Sequence, residues 1–162
     1  MKLSTRSEYG LRAMVELAGA YGSGPLALAD IARAQGLSEG YLEQIIAPLR
    51  RAGLVLATRG VKGGYTLAAS PSSVTTGQII RALEGPLDLI ECASEYGSES
   101  SCKRELACGS RRLWLKLRDS IVDVLDSTTL ADLCPSDSTS GDKKDKPRPV
   151  GALAGEEQLI KS

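Results

Sequence analysis

Between Ser7 and Tyr21 the apolar residues Tyr9, Leu11, Ala13, Met14, Leu17 and Ala18 recur at mixed intervals of three and four. That spacing lines one face of a helix, not one side of a strand. Gly22-Ser23-Gly24-Pro25 ends it. A second, shorter helix is predicted over 27–35, with Leu28, Ile31 and Ala32 on its apolar face and Gly36 as its stop. Ser38 suits the N-cap of a third helix, because its side-chain oxygen can accept from an otherwise unpaired first-turn amide. Tyr41, Leu42, Ile45, Ile46 and Leu49 form that helix's buried stripe, and Pro48 is expected to distort its last turn. Two short helices joined by Gly36-Leu37 outline a helix-turn-helix, with 38–51 in the recognition position.

Beyond Gly53 the pattern changes to short strand-like runs, Leu54 to Thr58 and Tyr65 to Ala68, on either side of Arg59-Gly60-Val61-Lys62-Gly63-Gly64. A hairpin directly after a recognition helix is a wing. Gly63 and Gly64 can let its backbone approach a phosphate closely, and Arg59 and Lys62 put positive charge at its tip. A further helix is predicted from Thr75 to Leu83, capped by Thr75 or Thr76 and broken by Gly85-Pro86. Gly109 to Leu130 then carries Leu113, Leu117, Ile121 and Val124 along a seam narrow enough to suit a partner helix. The alternative is that this helix folds back on its own domain. The expected fold class is mainly α with a small β-hairpin wing, a winged helix-turn-helix plus a long dimerisation helix. The expected divisions are a DNA-binding domain over 1–84, a cysteine-bearing loop over 85–108, the dimerisation helix over 109–133 and a disordered tail over 134–162. The tail is predicted from its Pro, Ser, Asp, Lys and Gly content.

The 162 residues suffice for one compact domain with appendages. Twenty basic and twenty acidic residues cancel, so only the distribution of charge is informative. From Arg33 to Lys62 five basic residues (Arg33, Arg50, Arg51, Arg59, Lys62) face two acidic ones (Glu39, Glu43), a local basic bias that suits DNA. No window has the length of apolar residues that a membrane helix needs, and the first residues lack an apolar signal core, so a cytoplasmic location is expected. With no histidine in the chain, His-based triads, His general bases and His metal sites are excluded. A small cysteine-nucleophile enzyme would also lack a phosphate or cofactor loop. The expectation is therefore a non-enzyme without a small-molecule substrate.

Cys92, Cys102 and Cys108 follow the spacing C-x9-C-x5-C in a stretch rich in Ser, Gly and Glu. A structural cysteine is normally set among apolar neighbours, so metal ligation accounts for three thiols here better than core packing does. Thiolates select zinc or iron–sulfur clusters. The paired C-x2-C knuckles usual for structural zinc are missing, and an open triplet fits a cluster better. Zinc and direct thiol redox sensing remain the alternatives. The fourth-ligand candidates are Glu8, arriving from the first helix of the same or the other subunit, and Cys134. Each has a plain reading as well, an exposed surface acid and an incidental thiol.

An ordered set of segments now carries a resemblance: Met1 to Ser4 with Tyr9 to Met14, Leu37 to Gln44, Leu49 to Val55, and Arg59 to Tyr65. The chain resembles the Rrf2 family of winged-helix transcription regulators over 1–133, especially its iron–sulfur cluster branch. The resemblance implies a homodimer on double-stranded DNA, its recognition helices in successive major grooves of a pseudo-palindromic operator and its wings in the minor groove. It implies DNA contacts at Ser38, Tyr41, Glu43, Gln44 and Arg59. The chemistry agrees, since Gln44 can pair with an adenine edge, Glu43 can accept from a cytosine amino group and Arg59 suits a narrow minor groove. The implied cofactor is a cluster of the 2Fe-2S rather than the 4Fe-4S type, serving cluster-assembly or redox and nitric oxide stress genes. Within that branch the first two cysteines usually lie closer together and a histidine follows the third. Here nine residues intervene and Arg111 stands at that place, which leaves the cluster type and the fourth ligand open. A metal-free thiol-sensing repressor of the same family is the rival reading. The family's cysteine-metabolism branch lacks the triplet and fits less well.

Overall fold

In the computed structural model, residues 4–60, 62–90, 94 and 108–134 are described. Helix α1 (Thr5–Gly19) starts two residues before the predicted boundary. Its cap is Ser4, whose Oγ accepts from the Ser7 N–H at 3.4 Å. Helix α2 (Leu28–Gln35) ends on Gly36, whose φ of 65° is the left-handed conformation glycine adopts freely. Helix α3 (Glu39–Arg51) is capped by Ser38 as expected, with Oγ accepting from the Tyr41 N–H at 3.3 Å, and it continues through Pro48.

Strands β1 (Val55–Thr58) and β2 (Gly64–Leu67) pair antiparallel, with Val55 opposite Leu67 and Thr58 opposite Gly64. Leu26 adds a bridge that sequence reading missed: its N–H donates to the Tyr65 carbonyl at 3.0 Å and its own carbonyl accepts from the Tyr65 N–H at 2.8 Å. After a 3-10 turn (Pro71–Ser73), helix α4 (Thr76–Glu84) opens with a capping box between Thr75 and Gln78. Helix α5 (Gly109–Ser127) follows the cysteine-bearing stretch. The sequence reading runs this helix through Leu130 within a division of 109–133. Instead the chain extends at Thr128, and Thr129 with Asp132 forms a second capping box that starts the short helix α6 (Leu130–Leu133).

Side chains from five helices and both strands meet in one core: Met14 and Leu17 of α1, Ile31 of α2, Leu42, Ile45, Ile46 and Leu49 of α3, Val55, Leu67, Ile79 of α4 and Leu130 of α6. Each large aliphatic group fully buried there contributes about 1.5–3 kcal/mol relative to exposure. Helix α5 supplies no buried residue. It is held at its C-terminal end, where the Thr76 hydroxyl donates to the Leu125 carbonyl at 2.8 Å, and Arg81 makes two bonds to Asp126 at 2.6 and 2.9 Å.

Candidate functional site

The second helix of the helix-turn-helix, α3, turns its apolar stripe into the core and leaves Ser38, Glu43 and Gln44 exposed. Tyr41 is half-buried, its ring edge-on to that of Tyr9 of α1, with centroids 6.3 Å apart and planes at 86°. Arg12 lies over the Tyr9 ring, 5.6 Å from its centroid, and is ion-paired with Glu8 at 2.6 Å. Two residues that sequence reading assigned to different sites, Glu8 and Tyr41, are thus joined through Tyr9 and Arg12.

At the far end of α3, Arg50 faces the wing. It lines an open cleft of about 510 Å³ together with Thr58, Arg59, Gly64 and Tyr65. Arg12, Arg33, Arg81 and Arg118 are ion-paired with Glu8, Asp30, Asp126 and Asp119. Arg50, Arg51, Arg59 and Lys62 are exposed and have no ion-pair partner among the described residues. Four such cations lie together on α3 and the wing, where an external anion can approach; Arg112 and Lys116 of α5 are likewise exposed and without an ion-pair partner among the described residues. Arg50 and Arg51 had been counted in the local charge but not named as site residues; adjacent arginines closing a recognition helix were the available signal.

The wing glycines have a structural reason independent of DNA. A Cβ on Gly64 would lie 2.1 Å from the Leu26 carbonyl oxygen, and one on Gly63 would lie 2.3 Å from that of Thr58. Both distances are far inside contact, so neighbouring backbone demands glycine at these two positions.

Of the predicted sulfur ligands, Cys92 and Cys102 lie outside the described residues. Cys108 is the N-cap residue of α5, half-buried, with Sγ 3.1 Å from the Ser110 Oγ. The positive end of the helix dipole favours an anionic group at that position, as a metal thiolate is. Arg118, in mid-α5, donates to the Ser94 carbonyl at 2.7 Å, which ties the stretch just after Cys92 to the same helix. Glu8 is exposed on α1, whereas Cys134 is half-buried and packs against the core.

The family model described as Rrf2, iron-dependent transcriptional regulator, matches residues 3–136. The chain belongs to the Rrf2 family. Its relatives are named transcriptional regulators, a non-enzymatic class, and this Rrf2 protein is one in turn. It is 49% identical over 133 residues to the HTH-type transcriptional regulator CymR of Bacillus subtilis, covering 82% of this chain and 89% of that protein. The solved structure of CymR, the global cysteine regulator of B. subtilis, superposes with a TM-score of 0.70 at 46% identity, covering 82% of this chain and 95% of that one. That of T. potens IscR gives 0.66 at 45% identity, covering 82% and 85%. The mainly helical fold with its hairpin wing is thus the fold of these regulators. No helix among the described residues is long and apolar enough to cross a membrane.

Proposed function

We propose that this Rrf2 regulator binds a pseudo-palindromic DNA operator as a homodimer and is controlled by an iron–sulfur cluster held by Cys92, Cys102 and Cys108. The DNA reading is supported by the placement of exposed Glu43 and Gln44 on α3 beside a wing whose cations have no ion-pair partner among the described residues. Side chains on α3 read base edges in the major groove, and Arg59 enters the minor groove. Ser38, Tyr41, Lys62 and the backbone at Gly63 and Gly64 set the contact with the phosphates.

One observation carries the cluster reading: the thiol triplet ends on the N-cap of α5, the helix whose seam of Leu113, Leu117 and Val124 is apolar and exposed among the described residues. The donors fit, being soft, without histidine and without the paired knuckles of structural zinc. Glu8 completes the set better than Cys134, because it is exposed while Cys134 packs on the core. When bound, a 2Fe-2S cluster supplies a centre whose charge and integrity respond to oxidants or nitric oxide. The chain's own residues do the rest: Cys108 as the N-cap and the Arg118 bond to Ser94 tie those two described positions of the cysteine-bearing stretch to α5. A metal-free thiol regulator is the second reading, favoured by the likeness to CymR, the cysteine regulator.

Anaerobic purification followed by iron and acid-labile sulfide analysis decides between them. The expected result is a coloured protein whose iron and sulfide are lost when Cys92, Cys102 or Cys108 is changed to Ala and retained in Cys134→Ala. Iron-free, colourless material with intact operator binding would sink the cluster reading and leave the thiol one.

A further inference from the structure

An α-helical carbonyl ordinarily accepts from the N–H four residues on. For Gln44 that residue is Pro48, which has no N–H. The acceptor so vacated sits in the middle of the recognition helix, on one of the two residues placed to read bases. It is occupied from outside the helix: Arg6 of α1 donates through Nη2 to the Gln44 carbonyl at 3.2 Å. Arg6 is itself half-buried, and the turn that carries it is anchored on both sides. Ser4 and Ser7 both donate to the Glu84 carboxylate at the end of α4, Ser7 from a nearly fully buried site at 2.5 Å. Glu84 is the last helical residue before the stretch that leads to Cys92.

We infer that Arg6 is a positioning residue for DNA recognition, which holds the Glu43–Gln44 turn of α3 at its reading angle by filling the acceptor that Pro48 leaves open. The inference rests on the DNA reading above. Through Ser4, Ser7 and Glu84 the same turn of α1 is joined to the start of the cysteine stretch, so displacement there is felt at Gln44. Tyr9 against Tyr41 gives α1 a second hold on the same helix.

A double-mutant cycle tests this, because Pro48→Ala restores the missing N–H and makes Arg6 dispensable. The wild-type full chain first enriches a binding duplex from a random-sequence library. The affinities of wild type, Arg6→Leu, Pro48→Ala and the double variant are then measured on that duplex and on a scrambled one, alongside their melting temperatures. Arg6→Leu is expected to lower the ratio of specific to scrambled affinity about tenfold, the worth of one charge-assisted hydrogen bond. In the Pro48→Ala background it should lower the ratio by less than about twofold. Equal losses on both duplexes would mean that Arg6 only adds charge, and equal losses in both backgrounds would mean that Pro48 is irrelevant; either overturns the inference. If the wild type enriches no duplex, the DNA reading falls and takes this inference with it, whereas enrichment followed by additive losses overturns the inference alone.

Discussion

Ser7 shows how one hydroxyl can join two helices. It is 1% exposed, and its Oγ donates to Glu84, 77 positions away in sequence. Hydrogen bonds from Ser4 and then Ser7 hold the Glu84 carboxyl below its ordinary value of 4.5, against a smaller opposing effect of burial. A folded value that is depressed stabilises the protein above the unfolded value, and that stability is lost as pH falls through the folded one. Ser7→Ala should therefore cost about 1 kcal/mol at neutral pH, less than the usual bond to a charge because Glu84 is exposed and solvent screens it. The difference from wild type should shrink as pH falls below 4.5 and Glu84 protonates. Urea unfolding at a series of pH values measures it, and a difference independent of pH would remove Glu84 from the account. Asp126 follows the same sign, its carboxyl lowered by the hydrogen bonds from Arg81.

Among the elements, α4 and α5 meet closely at Gly77. A Cβ on Gly77 of α4 would lie 2.0 Å from the Asp126 carboxylate and 2.6 Å from the Arg81 guanidinium. Gly77→Ala must therefore shift the ends of the Arg81–Asp126 pair that fastens α5, and its gain in melting temperature is expected to fall short of that at a helical glycine with open space around it. Gly19→Ala at the end of α1 is the control. Nothing lies within 4 Å of its Cβ, and alanine's better helix propensity should leave stability unchanged or raise it by up to about 1 kcal/mol. The wing answers to the same reasoning. Gly64→Ala would push into the Leu26 carbonyl and break the bridge that seats β2, so operator affinity should fall while the helical circular dichroism stays. Unchanged affinity would show that the wing tolerates movement at that bridge.

For the whole molecule the outstanding feature is the apolar seam of α5. Leu113, Leu117 and Val124 are 55%, 40% and 62% exposed, on a helix that contributes nothing to the core. A contiguous apolar stripe of this kind marks an interaction surface, and its heptad-like spacing suits a second copy of the same helix. Leu117→Glu is expected to shift the protein from dimer to monomer in sedimentation and to weaken operator binding, because each half-site would then be held by one head. A wild-type protein that sediments as a monomer at micromolar concentration would overturn the dimer proposal.

The local pattern alone determined the courses of α1 to α5, the wing and the cap at Ser38, and narrowed the cap of α4 to Thr75 or Thr76, because those features depend on interactions between residues only a few positions apart. Motif resemblance carried the family. What the pattern could not show lies in contacts between distant segments. The need for glycine at Gly63 and Gly64 comes from nearby carbonyls, that of Leu26 across the fold and that of Thr58 across the turn. The end of α5 at Ser127 depends on the Leu130 N–H finding the Val74 carbonyl. Pro48, readable in the sequence only as a distortion, becomes an open acceptor, and only the packing of α1 on α3 brings Arg6 to fill it. Periodicity reports which face of a helix is apolar; which partner meets each polar group is decided when the chain closes on itself.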